Sequence, residues 1–259
     1  YSICNVLKEA TMPNLLRWLP FNLDEEDVGC RLSNKMIRPT TIPQTLEELI
    51  IEHAVAREAL RLGLQHHKSI ATRLKGIQLQ RKFEDMFHQE LAASYIDMMK
   101  IPIMAGTGGL LSHAPRRMQS MYILTDAFQP EGITWLFQDS VFMMPHLGVL
   151  STVYPEAAWQ IFDKDCLVRL GTVIAPRGAA IEGQEVMTVK MEMPDGTTRE
   201  ESVKFGDIVH IALPEGGEAK VTVDPAKTFD MGLGPDKVVE GKVMGGKAGV
   251  VLDLSLIHI

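Results

Sequence analysis

Gly106-Thr107-Gly108-Gly109 is the place in this 259-residue chain where residue type and spacing best suit chemistry. The apolar run of Ile101, Ile103 and Met104 leads into it and an amphipathic segment follows, so the expected layout is strand, glycine turn, helix. Glycine lacks a Cβ and accepts φ > 0, which lets backbone lie flat against a ligand. A turn of this kind at the carboxyl end of a strand is where open α/β sheets bind nucleotides; the same spacing also makes an ordinary tight turn. Ser112 and His113 follow at once and can meet a ribose or a base, and His113 can equally satisfy a helix terminus.

Other candidates are sparser. Asp126 and Asp139 suit either a magnesium-bound water or ribose hydroxyl, or the capping of a following helix and the amides of a turn. Isolated acids make a poor metal site, so no metal ligand is assigned. His146, in Met144-Pro145-His146-Leu147-Gly148, reads as an interior or turn residue, and His53, His66, His67, His88 and His210 show no ligand spacing. The chain contains no His-Glu-x-x-His, Cys-x-x-Cys, Gly-x-Ser-x-Gly or Walker A pattern, so no catalytic residue is assigned. Asp230, Gly232, Gly234, Gly245, Gly246 and Gly249 read as tight turns or bulges among strands.

Three zones must position these residues. Residues 1–100 are helical in pattern. Pro13, Pro20, Pro39 and Pro43 divide the first part, and Thr45-Leu46-Glu47-Glu48 opens a helix whose buried face is expected to run through Leu46, Leu49, Ile50, His53, Ala54, Ala56, Leu60 and Leu64. A further amphipathic helix is expected over 78–94. Residues 101–170 read as an α/β unit, with a strand at Ile133–Phe137 and a helix opened by Pro155. Residues 171–253 change to short alternating runs with a hairpin signal at Asp195-Gly196. The expected class is therefore α/β plus all-β, the last part a small β-sandwich or barrel.

Composition bounds the rest. Hydrophobic residues at 46% supply a core, and a net charge of −7 argues against a nucleic-acid phosphate footprint. No apolar run reaches the roughly 20 residues of a membrane span. Cys4, Cys30 and Cys166 are too few and too scattered for a disulfide framework, which points to a reducing cytoplasm. Most of the fifteen methionines are expected to fill core gaps.

The block GTGGLLSHAPRR…LTDAFQPEGITWLFQDSVFMMPHLGVLS, Gly106 to Ser151, closely resembles the glutamate mutase L family, GlmL/MutL, which is unrelated to the mismatch-repair protein of similar name. The resemblance continues from Asp165 to Pro176 and from Phe229 to Asp253, and is weaker at Glu47 to Gly63. It implies a partial actin-like (ribonuclease H-like) ATPase lobe, in a protein that binds ATP and Mg and reactivates an adenosylcobalamin-dependent mutase as an accessory chaperone. The implied partner is the mutase subunit, with no nucleic acid, no membrane and no covalently bound cofactor.

In this family a glycine pair after a buried strand packs on the adenosine. The match assigns that contact to Gly106, Thr107, Gly108 and Gly109, with Ser112 and His113 beside them. The family's phosphate loop lies N-terminal to everything in this sequence, so ATPase activity is expected only of a full-length parent. Nucleotide-driven closure of two lobes, shifting the preferred mutase conformation, is the mechanism the resemblance implies. The alternatives are a non-catalytic mutase assembly factor and a kinase or hydantoinase-like enzyme of the same superfamily. Tyr1 lies inside an apparent helix, and Leu254 to Ile259 matches a translated sequencing adapter. The chain is thus expected to be a C-terminal fragment ending in an artefact.

Overall fold

A computed structural model describes residues 2–71, 95–181 and 183–255. The chain forms two compact units, up to Asp97 and from Met98 onward. The helix expected over 78–94 lies outside the described residues. Among the described residues no helix is long and apolar enough to cross a membrane.

The first unit is helical: α1 (Ile3–Ala10), α2 (Met12–Leu16), α3 (Glu25–Ile37) and α4 (Leu46–Ile70). The helix α1 starts behind the side chain of Ser2, which caps it by accepting from the Asn5 amide. Thr45 and Glu48 form the reciprocal cap that opens α4: the Thr45 hydroxyl accepts from the Glu48 amide and the Glu48 carboxylate from the Thr45 amide. The buried stripe of α4 is Ile51, Ala54 and Glu58, flanked by Val55, Ala59 and Leu62. It packs on Val6, Ala10, Leu15, Val28 and Leu32. Leu46, expected on the buried face, is exposed.

The second unit carries two sheets. Its elements are β1 (Ile103–Gly106), α5 (Gly109–Ser112), α6 (Arg117–Phe128), β2 (Gly132–Asp139), α7 (Met144–Leu150) and α8 (Pro155–Ile161), then a π-helical turn, Phe162–Cys166. Strands β3 (Leu167–Ala175), β4 (Glu185–Glu192), β5 (Thr198–Lys204), β6 (Ile208–Ile211), β7 (Glu218–Pro225), β8 (Val239–Met244) and β9 (Gly249–Asp253) follow. One sheet has the order β1-β2-β3-β9-β6, the other β5-β4-β7-β8. The hairpin signal at Asp195-Gly196 joins β4 to β5, with Gly196 at φ 81° and the Asp195 carboxylate accepting from the Thr197 amide and hydroxyl.

Strand β3 begins four residues before the expected change of character at Gly171 and runs past it. It pairs antiparallel with β2 on one side and parallel with β9 on the other, so the α/β zone and the β zone share one sheet. Side chains from both sheets meet in one core: Ile174 of β3, Met191 of β4, Val221 of β7, Val243 of β8 and Val250 and Leu252 of β9. Phe229 is its largest wholly buried side chain. Leu254 is also packed there, and its amide donates to the Asp207 carbonyl. The layout is an N-terminal helical and α/β region followed by two β-sheets.

Candidate functional site

Strands β1 and β2 run parallel, with Gly106 opposite Gln138, so their carboxyl ends lie side by side. The chain leaves β1 through Thr107 and Gly108 and enters the one-turn helix α5, which His113 ends. The expected layout has a single helix after the glycine turn. Ala114, Pro115 and Arg116 instead separate α5 from α6, because proline disfavours helical backbone in the residue before it and has no amide to continue the ladder.

The glycines divide by role. Gly106 is buried, and a Cβ there would lie 2.8 Å from Leu111 Cδ1 and 2.9 Å from Leu124 Cδ1, so it is a packing glycine. Gly108 sits at φ +107°, where side chains are rarely tolerated, and a Cβ on Gly108 or on Gly109 would have no neighbour within 4 Å. Thr107, Gly109 and His113 are exposed, whereas Ser112 is buried and its hydroxyl donates to the Asp139 carbonyl at 2.7 Å.

Asp139, at the end of β2, is wholly buried. Its carboxylate accepts from the Thr107 hydroxyl at 3.3 Å, the Val141 amide at 3.2 Å and the Met144 amide at 2.8 Å. Burial pushes its pKa up, but the Met144, Met143 and Val141 amides and the Thr107 hydroxyl outweigh that and hold it below the usual carboxylate value. The acid therefore stays charged and caps α7 while it ties the glycine turn to the next loop. Around it, Gln138 Nε2 and Ser120 Oγ both donate to the Leu111 carbonyl, at 2.7 and 3.0 Å, and Arg117 Nη1 donates to the Ser112 carbonyl at 2.9 Å. Gln138 Oε1 is buried without a partner.

The result is a firmly held turn presenting bare backbone. Such a surface can take a flat group against Gly108 and Gly109. It carries no free base, because amides already occupy both oxygens of Asp139. Among the described residues no three of His, Cys, Asp and Glu are grouped to hold a metal ion. Asp126 is buried on α6, away from the role of a strand-end acid. Burial first, then the charges of Asp253 and Asp126, raise the pKa of Tyr122. His146 is exposed on α7, and His210 Nε2 donates to the Ala248 carbonyl at 2.5 Å. Asp230 closes a turn, as expected, by accepting from the Gly232 and Gly234 amides at 2.6 and 2.8 Å.

Sequence reasoning missed Glu58, a wholly buried carboxylate of α4. Arg17 Nη2, Trp18 Nε1 and Arg61 Nε donate to it at 2.9, 2.8 and 2.9 Å. Arg17 and Arg57 lie over the Trp18 ring at 4.8 and 5.4 Å. Burial opposes its charge, and the bonds from Arg61 and Trp18 with the Arg61 and Arg17 charges win, lowering its pKa. The run Arg57-Glu58…Arg61 was the available signal, a carboxylate with cations one and three residues away. The same unit has an open groove of about 730 Å³ beside Arg31, Lys35, Arg38, Ile42 and Ile51, which includes none of Gly106 to His113.

Compared with known families, residues 1–166 match the model described as MutL protein. The match ends at the last residue of the π-helical turn, before β3. No curated protein and no solved structure matches the chain.

Proposed function

We propose, for a chain that belongs to the MutL protein family, the function its glutamate mutase L resemblance implies. The chain would be part of an ATP-binding accessory protein, of actin-like ATPase type, that reactivates an adenosylcobalamin-dependent carbon-skeleton mutase such as glutamate mutase. One observation carries the nucleotide part: Gly108 and Gly109 present open backbone at the end of a strand whose turn is clamped from behind by Asp139. A base or ribose needs flat, side-chain-free surface of that kind.

The residues present fit the adenosine and do not fit the magnesium ion. Thr107 and His113 are exposed beside the glycines, whereas Asp139 is committed to its amides and Ser112 to a carbonyl. No hydrolytic step is therefore assigned to these residues.

The commitment of Asp139 favours a second reading, a mutase assembly factor that binds no nucleotide. Equilibrium binding of labelled ATP to a full-length parent, with and without magnesium, separates the two. Saturable binding that Gly109→Val weakens at least tenfold supports the first reading. Absence of binding in both conditions selects the second.

A further inference from the structure

The open groove of the helical unit is lined by α3, α4 and the loop that joins them, residues 38–45. Its floor is apolar: Leu32 of α3 and Ile51 of α4 are only 3% and 4% exposed. Its lining also holds Ile37 and Ile42, which are 77% and 74% exposed. Collapse of the loop onto the floor would cover both, and the loop is tied against it. Lys35 Nζ donates to the Thr41 carbonyl, and the Thr41 amide and hydroxyl donate to the Arg38 carbonyl at 3.2 and 2.9 Å. The Glu48 carboxylate accepts from the Gln44 and Thr45 amides at 2.6 and 3.3 Å. The groove is therefore preformed, and its volume of about 730 Å³ is that of a small-molecule site.

Charge selects the ligand. Arg31, Lys35 and Arg38 lie at spacings of four and three along α3 and its C-terminal cap, and all three line the groove. Arg31 Nη2 pairs with Asp27 at 2.9 Å and Glu47 at 3.0 Å, and Lys35 Nζ pairs with Glu52 at 2.5 Å. Arg38 differs: among the described residues no carboxylate pairs with its guanidinium. That planar fork matches a single carboxylate in bidentate fashion. A polyphosphate would meet one uncommitted cation and the charges of Glu48 and Glu52 in the same lining. An extended peptide would lay backbone amides and carbonyls over Leu32 and Ile51, which offer them no partner. One carboxylate on a hydrocarbon body satisfies both the guanidinium and the isoleucines.

We propose that this groove binds a small amphipathic carboxylate, its charged end held by the Arg38 guanidinium and its hydrocarbon body laid over Leu32 and Ile51 beside Ile37 and Ile42.

The test is calorimetric titration of octanoate into the 259-residue chain, with octan-1-ol and acetate as partial analogues. Octanoate should bind saturably, one per chain, with a dissociation constant below about 1 mM, and acetate at least about tenfold more weakly. Arg38→Gln should weaken octanoate at least about tenfold and leave octan-1-ol within about twofold. Ile42→Ser should weaken both. Arg38 and Ile42 are exposed, so circular dichroism melts should match wild type, and if one variant fails to fold the other decides. The proposal is overturned if wild type shows no saturable octanoate binding, including a wild type that binds only ATP or an acidic peptide. It is equally overturned if folded Arg38→Gln or Ile42→Ser binds octanoate as tightly as wild type, or if acetate binds as tightly as octanoate.

Discussion

The Asp139 carboxylate and the Thr107 hydroxyl meet at 3.3 Å across two parallel strands, and this contact joins the glycine turn after β1 to the loop after β2. The same carboxylate takes the amides that open α7, so one buried charge fixes two turns and a helix end. Its environment is polar enough to keep it ionised despite full burial.

Asp139→Ala should therefore be among the most destabilising single changes in the second unit. It leaves buried amides without an acceptor, at a cost of about 2–4 kcal/mol. Chemical denaturation measures this directly. A lowered carboxylate pKa also fixes the sign of the pH dependence: this contribution is complete above the unfolded value of about 3.9 and is lost as pH falls through the lower folded value. Asp139→Asn should flatten that acid limb, and an unchanged limb would show that other carboxylates produce it.

The two glycines of the turn should separate function from packing. Gly106→Ala forces a methyl to within 3 Å of Leu111 and Leu124 and should lower the melting temperature by several degrees. Gly109→Val meets no neighbour and should leave the melting temperature nearly unchanged, while ATP affinity falls at least tenfold, about 1.4 kcal/mol. Lost stability with unchanged affinity in Gly109→Val would make that glycine structural.

In the helical unit, His53 is 95% buried with Nε2 unpartnered, and burial followed by the Arg57 charge pushes its pKa down to about 4. Between that value and the unfolded value of about 6.5 the unfolded chain binds the extra proton, so stability falls as pH drops through this window, by up to about 3 kcal/mol. His53→Leu should abolish that slope in melts taken from pH 7 to pH 5. A slope that survives the substitution would place its source elsewhere.

Glu58 gives the complementary case. Glu58→Gln keeps the shape but strips the charge from a site surrounded by Arg17 and Arg61, at a cost of about 3 kcal/mol. A loss below about 1 kcal/mol would mean that both arginines turn to solvent when the acid is removed.

Gly171 has the narrowest tolerance. A Cβ there would stand 1.8 Å from the Gly249 carbonyl oxygen, in the β3–β9 pairing that unites the two zones of the chain. Gly171→Ala should prevent that pairing and yield insoluble or molten protein, visible as lost near-ultraviolet circular dichroism. A soluble variant with wild-type melting behaviour would require a different β3–β9 register.

Much of this structure is local and was legible in the residues themselves. Thr45 and Glu48 open α4, Asp195-Gly196 turns a hairpin, and Ile101 to Gly109 runs from strand to glycine turn, because caps, turns and alternation depend on neighbours a few positions away. The family resemblance was legible for the same reason, in one contiguous block. What the sequence could not decide depends on residues far apart in it. Both roles were open for Asp139 until the fold brought Thr107 and the α7 amides onto its oxygens. Gly106 and Gly109 look alike as text and differ only because Leu124 packs over one of them. The expected boundary at Gly171 falls inside β3, and β9, some eighty residues later, pairs with β3 there. Periodicity records which face of an element is covered; tertiary structure alone supplies the atoms that cover it.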